Sequence, residues 1–231
     1  MALNAQTRDQ VRGFLLNQVT RYIQQNLANQ RHKPFHERLM PPLSIEGLSE
    51  RSFSTRLGSW FQNIARMVAL QYGQEAQSNC LVQGHIRPAA TALITAILDD
   101  MDHGQPHRVP NRAVDVAAVF AVQGPGGAND QVRSDLFVRR QDGEELYFEI
   151  KTPDPNKQTC RAMKKDILTI MALRHGHNAQ AYAACAYNPY GDGQPYVSNF
   201  VGQFLEIGST FLSADPSGLG LENQKPTMNC W

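Results

Sequence analysis

The sequence lacks the features that mark membrane-spanning, secreted and repeat proteins. No window approaches the roughly 18 consecutive apolar residues that a spanning helix requires. The N-terminal run MALNAQTRDQ has neither the basic patch nor the apolar stretch of a secretory signal. No motif recurs at a fixed period, which excludes solenoids and propellers. We therefore expect a protein of the cytoplasm that has no contact with a membrane.

The sequence marks of zinc and nucleotide binding are also missing. The four cysteines form no CxxC pair, and we interpret them as reduced thiols: Cys80, Cys160, Cys185 and Cys230. His36-Glu37 begins like the HExxH zinc motif, but position 40 is methionine. The GPGG run at residues 124–127 is not followed by Lys-Ser or Lys-Thr, so it is no P-loop. No nucleotide cofactor is expected.

A strong net charge is missing as well, but the charges are unevenly distributed. The chain carries 22 Lys and Arg against 21 Asp and Glu, a net charge of +1. Residues 1–66 hold nine basic against four acidic residues (+5), and residues 151–174 hold six against two (+4). Basic surfaces that flank an acidic pocket suit a protein that grips phosphates and holds a metal cation. Ordinary solvated helix faces would give the same pattern.

Hydrophobic periodicity predicts an α/β domain with a helical N-terminal part. Helices are predicted over residues 5–28, 54–73, 88–102 and 157–175. Strands are predicted over residues 113–122, 132–140, 144–151 and 179–187, and residues 200–211 are a short strand or helix. Because no linker stands out, we expect a single domain over residues 1–231. Its predicted parts are a mainly helical part (1–105), an α/β core (106–200) and a C-terminal tail (201–231).

The two alternating segments at residues 132–140 and 144–151 predict a β-hairpin. A two-residue loop would place Asp135 opposite Ile150, and a three-residue loop at residues 141–143 would place it opposite Glu149. The Asp-Gly end of the loop favours three residues, because glycine supplies the positive φ after a type I turn. One face then carries Leu136, Val138, Leu146, Phe148 and Ile150. The other carries Arg133, Asp135, Phe137, Tyr147, Glu149 and Lys151. We expect core on the first face and a charged cluster on the second.

In this register Asp135 and Glu149 are direct cross-strand neighbours, with Cβ atoms about 5 Å apart. Two carboxylates at that distance repel each other unless a cation lies between them, and oxygen ligands are what Mg²⁺ prefers. The carbonyl of Ile150 is a further candidate ligand. Lys151 points from the same face, where its ammonium group can hold or help deprotonate a metal-bound water for attack on phosphorus. The residues thus indicate a Mg²⁺-dependent phosphodiesterase centre.

Spacing alone makes this motif weak, because charged residues alternate on many exposed strands and a solvated hairpin is the plain alternative. The position of the triplet at a strand end, before a loop and a basic helix, favours a site. Glu75 and Asp115 are candidates for a further acid near the metal, and a role outside the site is the plain alternative for each.

The residues of this hairpin resemble a known family motif. Ser134-Asp135 followed by Glu149-Ile150-Lys151 matches the PD-(D/E)xK nuclease motif, with serine in the usual proline position. Four longer runs resemble one group of type II restriction endonucleases, the AvaII-like enzymes that read GG(A/T)CC and relatives that read GGNCC. These runs are EIKTPDPNK (149–157), AYNPYG (186–191), PFHERLMPP (34–42) and RSFSTRLG (51–58). The similarity covers most of residues 30–195.

The resemblance implies a PD-(D/E)xK restriction-endonuclease-like core, with a central mixed sheet flanked by helices. It implies a homodimer, dependence on Mg²⁺, and staggered cleavage of double-stranded DNA within a short palindrome, leaving 5′-phosphate ends. It also implies that Asp135 and Glu149 are metal ligands and that Lys151 is the catalytic lysine. The nearest rival is a repair or junction-resolving nuclease of the same superfamily. A non-catalytic DNA-binding module is the rival of another class, but all three motif residues are present.

Candidates for DNA contact lie next to the hairpin and on the helix that follows it. They are Arg133, Asn156, Lys157, Arg161, Lys164 and Lys165. Arg and Lys bind guanine O6 and N7, the commonest specific base contact. The same side chains also contact phosphates, which fix position without reading sequence. For Arg133 the alternative is a salt bridge to Glu149.

Overall fold

The computed structural model describes residues 3–28, 50–103, 108–151, 153–185, 187–191 and 194–213. Within these ranges, no helix combines the length and the apolar composition needed to cross a membrane. Three cysteines are free thiols, as expected, whereas Cys230 lies outside the described residues. The run at residues 34–42, which contributes to the family resemblance, also lies outside them.

The described residues form helices and strands that alternate after a helical start. The helices are α1 (Ala5–Ala28), α2 (Glu50–Ala69), α3 (Pro88–His103), α4 (Arg112–Val122), α5 (Lys157–Leu173) and α6 (Asn199–Phe204). The strands are β1 (Glu75–Ile86), β2 (Ala128–Arg139), β3 (Glu145–Lys151), β4 (Ala179–Cys185) and β5 (Phe211–Ser213). They make one sheet in the order β1-β2-β3-β4-β5. Strand β2 runs antiparallel to both of its neighbours, β1 and β3, and β3, β4 and β5 run parallel. The predicted fold class, a mixed sheet flanked by helices, is confirmed.

Helices cover both faces of this sheet. On one face, Ala65 and Ala69 of α2 pack on an apolar cluster of Leu136, Val138, Leu146, Phe148 and Tyr182. On the other face, a larger core joins Phe137 and Tyr147 to the buried sides of α3 and α5. The predicted apolar face is therefore confirmed. The second face carries the predicted charged cluster, and in addition α5 packs on it and buries Phe137 and Tyr147.

The β2–β3 hairpin has the predicted three-residue loop. Arg140 N donates to Glu144 O at 2.9 Å, and Gly143 adopts a φ of +85°. The ladder pairs Leu136 with Phe148, which is the register that a loop at residues 141–143 dictates. The regular ladder ends at that pair, so Asp135, the residue before Leu136 in the sequence, lies just outside it. The two strands therefore begin to diverge where the candidate site starts.

Two elements differ from the sequence-based expectation. Residues 113–122 were expected as a strand, but they belong to helix α4. Asn111 caps this helix by accepting a hydrogen bond from Val114 N at 3.0 Å, which satisfies one of the free N–H groups at a helix start. Strand β1 lies within the part predicted as mainly helical. Its polar sequence gave no apolar alternation, and most of its side chains are partly or fully exposed.

Candidate active site

Asp135 lies where β2 leaves β3, and its neighbour Ser134 secures this divergence. The Ser134 hydroxyl is fully buried and lies 3.0 Å from the carbonyl oxygen of Leu136 and 3.1 Å from that of Phe148. It therefore ties the last residues of the regular ladder to each other. Serine in place of the motif's usual proline thus keeps a structural role, because it shapes the backbone that presents the following carboxylate.

The structure brings together the three predicted catalytic residues. Lys151 Nζ lies 2.9 Å from Asp135 Oδ2 and 3.1 Å from Glu149 Oε2, so one ammonium group bridges both carboxylates. Asp135 Oδ2 also accepts a hydrogen bond from the backbone N–H of Ile150 at 2.8 Å. Two carboxylates share a single lysine, which leaves the cluster with an excess of negative charge when both are ionised.

Burial and charge act strongly on this cluster. Burial of Glu149 and repulsion from Asp135 raise the pKa of Glu149 to about 8, against a smaller opposing effect of Lys151. Burial by itself would lower the pKa of Lys151, but the charges of Glu149 and Asp135 outweigh it and the pKa is raised. The surroundings of the site therefore favour the charged form of Lys151 and the protonated, neutral form of Glu149.

The donor set fits a divalent cation. Glu149 is 3% exposed, and its Oε1 is buried without a hydrogen-bond partner among the described residues. A buried carboxylate oxygen without a donor is costly unless a ligand completes it. No group of three or more His, Cys, Asp or Glu side chains is assembled in the described part of the chain. Mg²⁺ does not require one, because it commonly takes one or two carboxylates and completes its shell with water and phosphate.

Two further side chains act on the site, and the sequence analysis did not identify them. Gln62 of α2 donates from Nε2 to Asp135 Oδ1 at 2.9 Å, although it lies 73 residues away along the chain. Asp166 of α5 acts through its charge, which raises the pKa of Glu149. Burial raises the pKa of Asp166 in turn, and the charge of Lys151 opposes that shift. Nothing in the local sequence around Gln62 points to a site.

The structure places both expected further acids away from this cluster. Glu75 pairs with Arg139, which lies four residues from Asp135 along β2, or roughly 13 Å at the usual rise per residue. Asp115 is fully buried and pairs with Lys164 and Arg108, each at 2.6 Å. The expectation that Glu75 or Asp115 joins the metal site is therefore not supported. Both carboxylates are bound in structural ion pairs.

Lys164 was predicted to contact DNA, and the structure contradicts this prediction. Its side chain is 1% exposed and its ammonium group lies 2.6 Å from Asp115 Oδ2. Burial lowers the pKa of Lys164, and the nearby Asp115 carboxylate opposes this effect. A phosphate cannot approach a lysine enclosed in this way, so Lys164 stabilises the fold. Its neighbour Lys165 is exposed.

The other DNA candidates lie on the surface with defined local contacts. Asn156 caps α5 by accepting a hydrogen bond from Thr159 N at 2.9 Å. Lys157 pairs with Asp102 of α3, and Arg161 pairs with Asp99 of α3 at 2.5 Å. Arg133 is also exposed, and its guanidinium group donates to the carbonyl of Asn79 at 3.4 Å. For Lys157 and Arg161, contact with DNA would require exchanging a carboxylate of α3 for a phosphate or a base.

Comparisons with known proteins agree with this arrangement. Residues 3–213 match the family model described as "Type II restriction endonuclease, HinfI". The type II restriction enzyme HgiCII of Herpetosiphon aurantiacus is 32% identical over 230 residues, which cover 90% of this chain and 84% of that relative. The type II restriction enzyme HgiEI of the same organism is 32% identical over 218 residues, which cover 83% and 78%. No solved structure matches the chain.

Proposed function

Because the chain belongs to the HinfI family of type II restriction endonucleases, we propose that it cuts double-stranded DNA through a Mg²⁺ site at Asp135 and Glu149. Membership makes the chain a site-specific deoxyribonuclease, and the cofactor and its residues are the proposal. The observation that carries it is the pair of carboxylates bridged by Lys151, of which Glu149 is buried with one oxygen that has no donor among the described residues.

The cation would be held by one carboxylate oxygen each from Asp135 and Glu149, and by the carbonyl of Ile150. When bound, it supplies a Lewis acid for the phosphate and lowers the pKa of a coordinated water. The backbone N–H of Ile150 keeps Oδ2 of Asp135 in place at 2.8 Å. Lys151 has a raised pKa, so its ammonium group stays charged and can stabilise the negative charge that develops on the phosphate.

The proposed target is a short palindrome of the GGWCC type, cut on both strands to leave 5′-phosphate ends. A palindrome presents the same sequence twice about a two-fold axis, so a homodimer is proposed to bring one site to each strand. Arg133, Asn156, Lys157, Arg161 and Lys165 are the proposed DNA contacts. They lie on the hairpin, at the N-cap of α5 and on α5 itself.

Digestion of plasmid DNA tests this proposal. The protein is incubated with supercoiled plasmid in Mg²⁺ or in EDTA, and the ends of the products are sequenced. Discrete fragments with a common GGWCC-type sequence at every cut, formed only with Mg²⁺, are expected. Discrete cuts at another sequence would refute the target and retain the nuclease centre. Cleavage restricted to branched DNA would instead favour a junction-resolving nuclease, and binding without any cleavage would favour a non-catalytic module.

A further inference from the structure

Asp135 occupies a gap between the two strand ladders that flank it. The β1–β2 ladder pairs Ser78 with Leu136 and Cys80 with Ser134, but it omits the pair of Asn79 and Asp135 between them. Asn79 has a φ of +54°. Residues other than glycine rarely adopt this left-handed backbone conformation, although asparagine does so more often than most. On its other side, the regular β2–β3 ladder ends at Leu136. Neither ladder therefore fixes the residue that carries the first catalytic carboxylate.

Gln62 supplies a contact from outside the sheet. Its Nε2 donates to Asp135 Oδ1 at 2.9 Å, whereas Ile150 N and Lys151 Nζ both donate to the other oxygen, Oδ2. An ionised carboxylate only accepts hydrogen bonds, so the amide must present its NH₂ group to Asp135. Each oxygen of Asp135 is thereby held from a different direction, and rotation of the carboxylate is restrained.

The helix that carries Gln62 is itself well anchored. On either side of Gln62 along α2, Trp60 is 5% exposed and Ala65 packs in the apolar cluster over the hairpin. Phe61 packs edge-on against Tyr187, with ring centroids 6.4 Å apart. The amide is thus delivered by a rigid element rather than by a loop. Because it is neutral, it holds the carboxylate without adding a charge that would compete with or replace a cation.

We propose that Gln62 is a positioning residue, which holds Asp135 in the orientation needed to receive the divalent cation. This inference rests on the proposed metal-dependent cleavage. Partners of this kind, which orient a metal ligand without binding the metal, typically change metal affinity or activity by about 10–100-fold when they are removed. Loss of the amide is therefore expected to act on metal use and on the cleavage rate, and to leave DNA affinity unchanged.

The deciding variant is Gln62→Met, which keeps the length of the side chain and removes its donor. Gln62→Ala is the second variant, and Asn63→Ala is the matched control. Asn63 is the next residue of the same helix, and its amide donates within α2 to Ser59 O at 2.8 Å. Thermal unfolding of all three variants establishes that they are folded.

Three quantities are measured on the full-length protein. They are the Mn²⁺ affinity by calorimetry, the Mg²⁺ concentration for half-maximal cleavage, and the DNA affinity in Ca²⁺. Gln62→Met and Gln62→Ala are expected to weaken Mn²⁺ binding and to raise the Mg²⁺ requirement, each by about 10–100-fold. DNA affinity is expected to stay at the wild-type value. Asn63→Ala is expected to match the wild type in all three measurements.

The outcomes separate this inference from the proposed function. Wild-type Mn²⁺ affinity and Mg²⁺ requirement in Gln62→Met would overturn the inference alone, provided that Asp135→Asn is inactive. Weakened DNA binding with unchanged metal affinity would overturn it too, since Gln62 would then contact DNA. A wild-type protein that neither binds Mn²⁺ nor cleaves DNA would overturn both the inference and the proposed function.

Discussion

Two clusters that pair a lysine with a carboxylate, one around Lys151 and one around Lys164, differ in exposure and in charge balance. In the first, Lys151 bridges Asp135 and Glu149 at 2.9 and 3.1 Å. In the second, Lys164 contacts Asp115 at 2.6 Å. Lys151 is 33% exposed, whereas the side chains of the second pair are each 1% exposed. The first cluster can be reached from solvent and the second cannot.

The balance of charge separates the two clusters further. Asp115 is shared by Lys164 and Arg108, so cations outnumber carboxylates and both of its oxygens have a partner. At Lys151 the carboxylates outnumber the cation, and no donor to Glu149 Oε1 lies in the described part of the chain. A buried, fully paired cluster is a structural element, since its removal leaves an uncompensated charge. The proposed cation would supply the positive charge that the cluster around Lys151 lacks when both carboxylates are ionised.

Lys151→Ala gives the largest effect among tests of this comparison. It removes the ammonium group that is proposed to act at the phosphate, and proton transfer or charge stabilisation of this kind contributes about 10²–10⁴-fold to a rate. The cleavage rate at saturating Mg²⁺ is expected to fall by that order while Mn²⁺ still binds, as measured by quenched-flow kinetics and calorimetry. A variant that keeps the wild-type rate would remove Lys151 from the chemistry.

The second test replaces each of two adjacent lysines of α5 by alanine in a separate variant. Lys164→Ala leaves Asp115 buried with one cation fewer, and such a loss typically costs about 3–5 kcal/mol of stability. Lys165→Ala lies on the surface and is expected to change stability by less than about 0.5 kcal/mol. It should instead weaken DNA binding and reduce the salt dependence by about one phosphate contact. Urea unfolding measures the stability of each variant, and titrations at several salt concentrations measure its DNA affinity. Lost stability in Lys165→Ala together with weakened DNA binding in a stable Lys164→Ala would contradict the comparison.

The third test uses pH in the absence of metal. The pKa of Glu149 is raised from 4.5 to about 8, so the folded protein keeps a proton that the unfolded chain has released. The free energy of unfolding is therefore expected to fall as pH rises from about 4.5 to 8, by on the order of a few kcal/mol. Glu149→Gln should flatten this slope when unfolding is followed in EDTA. An identical slope in the wild type and the variant would assign the titration to another group.

The elements of the site that depend on local rules were predictable. Alternation fixed which residues of the hairpin share a face, and the Asp-Gly loop end fixed the register that the structure shows. Helix α5 was also predicted from its first residue, since its apolar stripe and the proline-rich loop before it are both local features. These predictions succeeded because turn type and periodicity each depend on residues that are close together in the sequence.

Properties that depend on distant contacts were not predictable. Burial of Lys164 depends on α4, and the adjacent Lys165 on the same basic helix is exposed. Gln62 donates a hydrogen bond to Asp135, which lies 73 residues away along the chain. This contact depends on the packing of α2, which no local pattern specifies. The strand predicted at residues 113–122 fails because short Val- and Ala-rich runs suit buried helices and buried strands alike. Asn111, directly before the first helical residue Arg112, is a local signal for a helix start.

The central claim, that a cation held by Asp135 and Glu149 drives cleavage, is tested most directly by removing one ligand at a time. Single-turnover cleavage of a one-site plasmid in Mg²⁺ is compared for the wild type, Asp135→Asn and Glu149→Gln, with DNA affinity measured in Ca²⁺. Each variant is expected to lose about a thousandfold or more in rate, equivalent to about 4 kcal/mol of transition-state stabilisation, while DNA binding is retained. Mg²⁺-dependent cleavage near the wild-type rate in both variants would contradict the assignment.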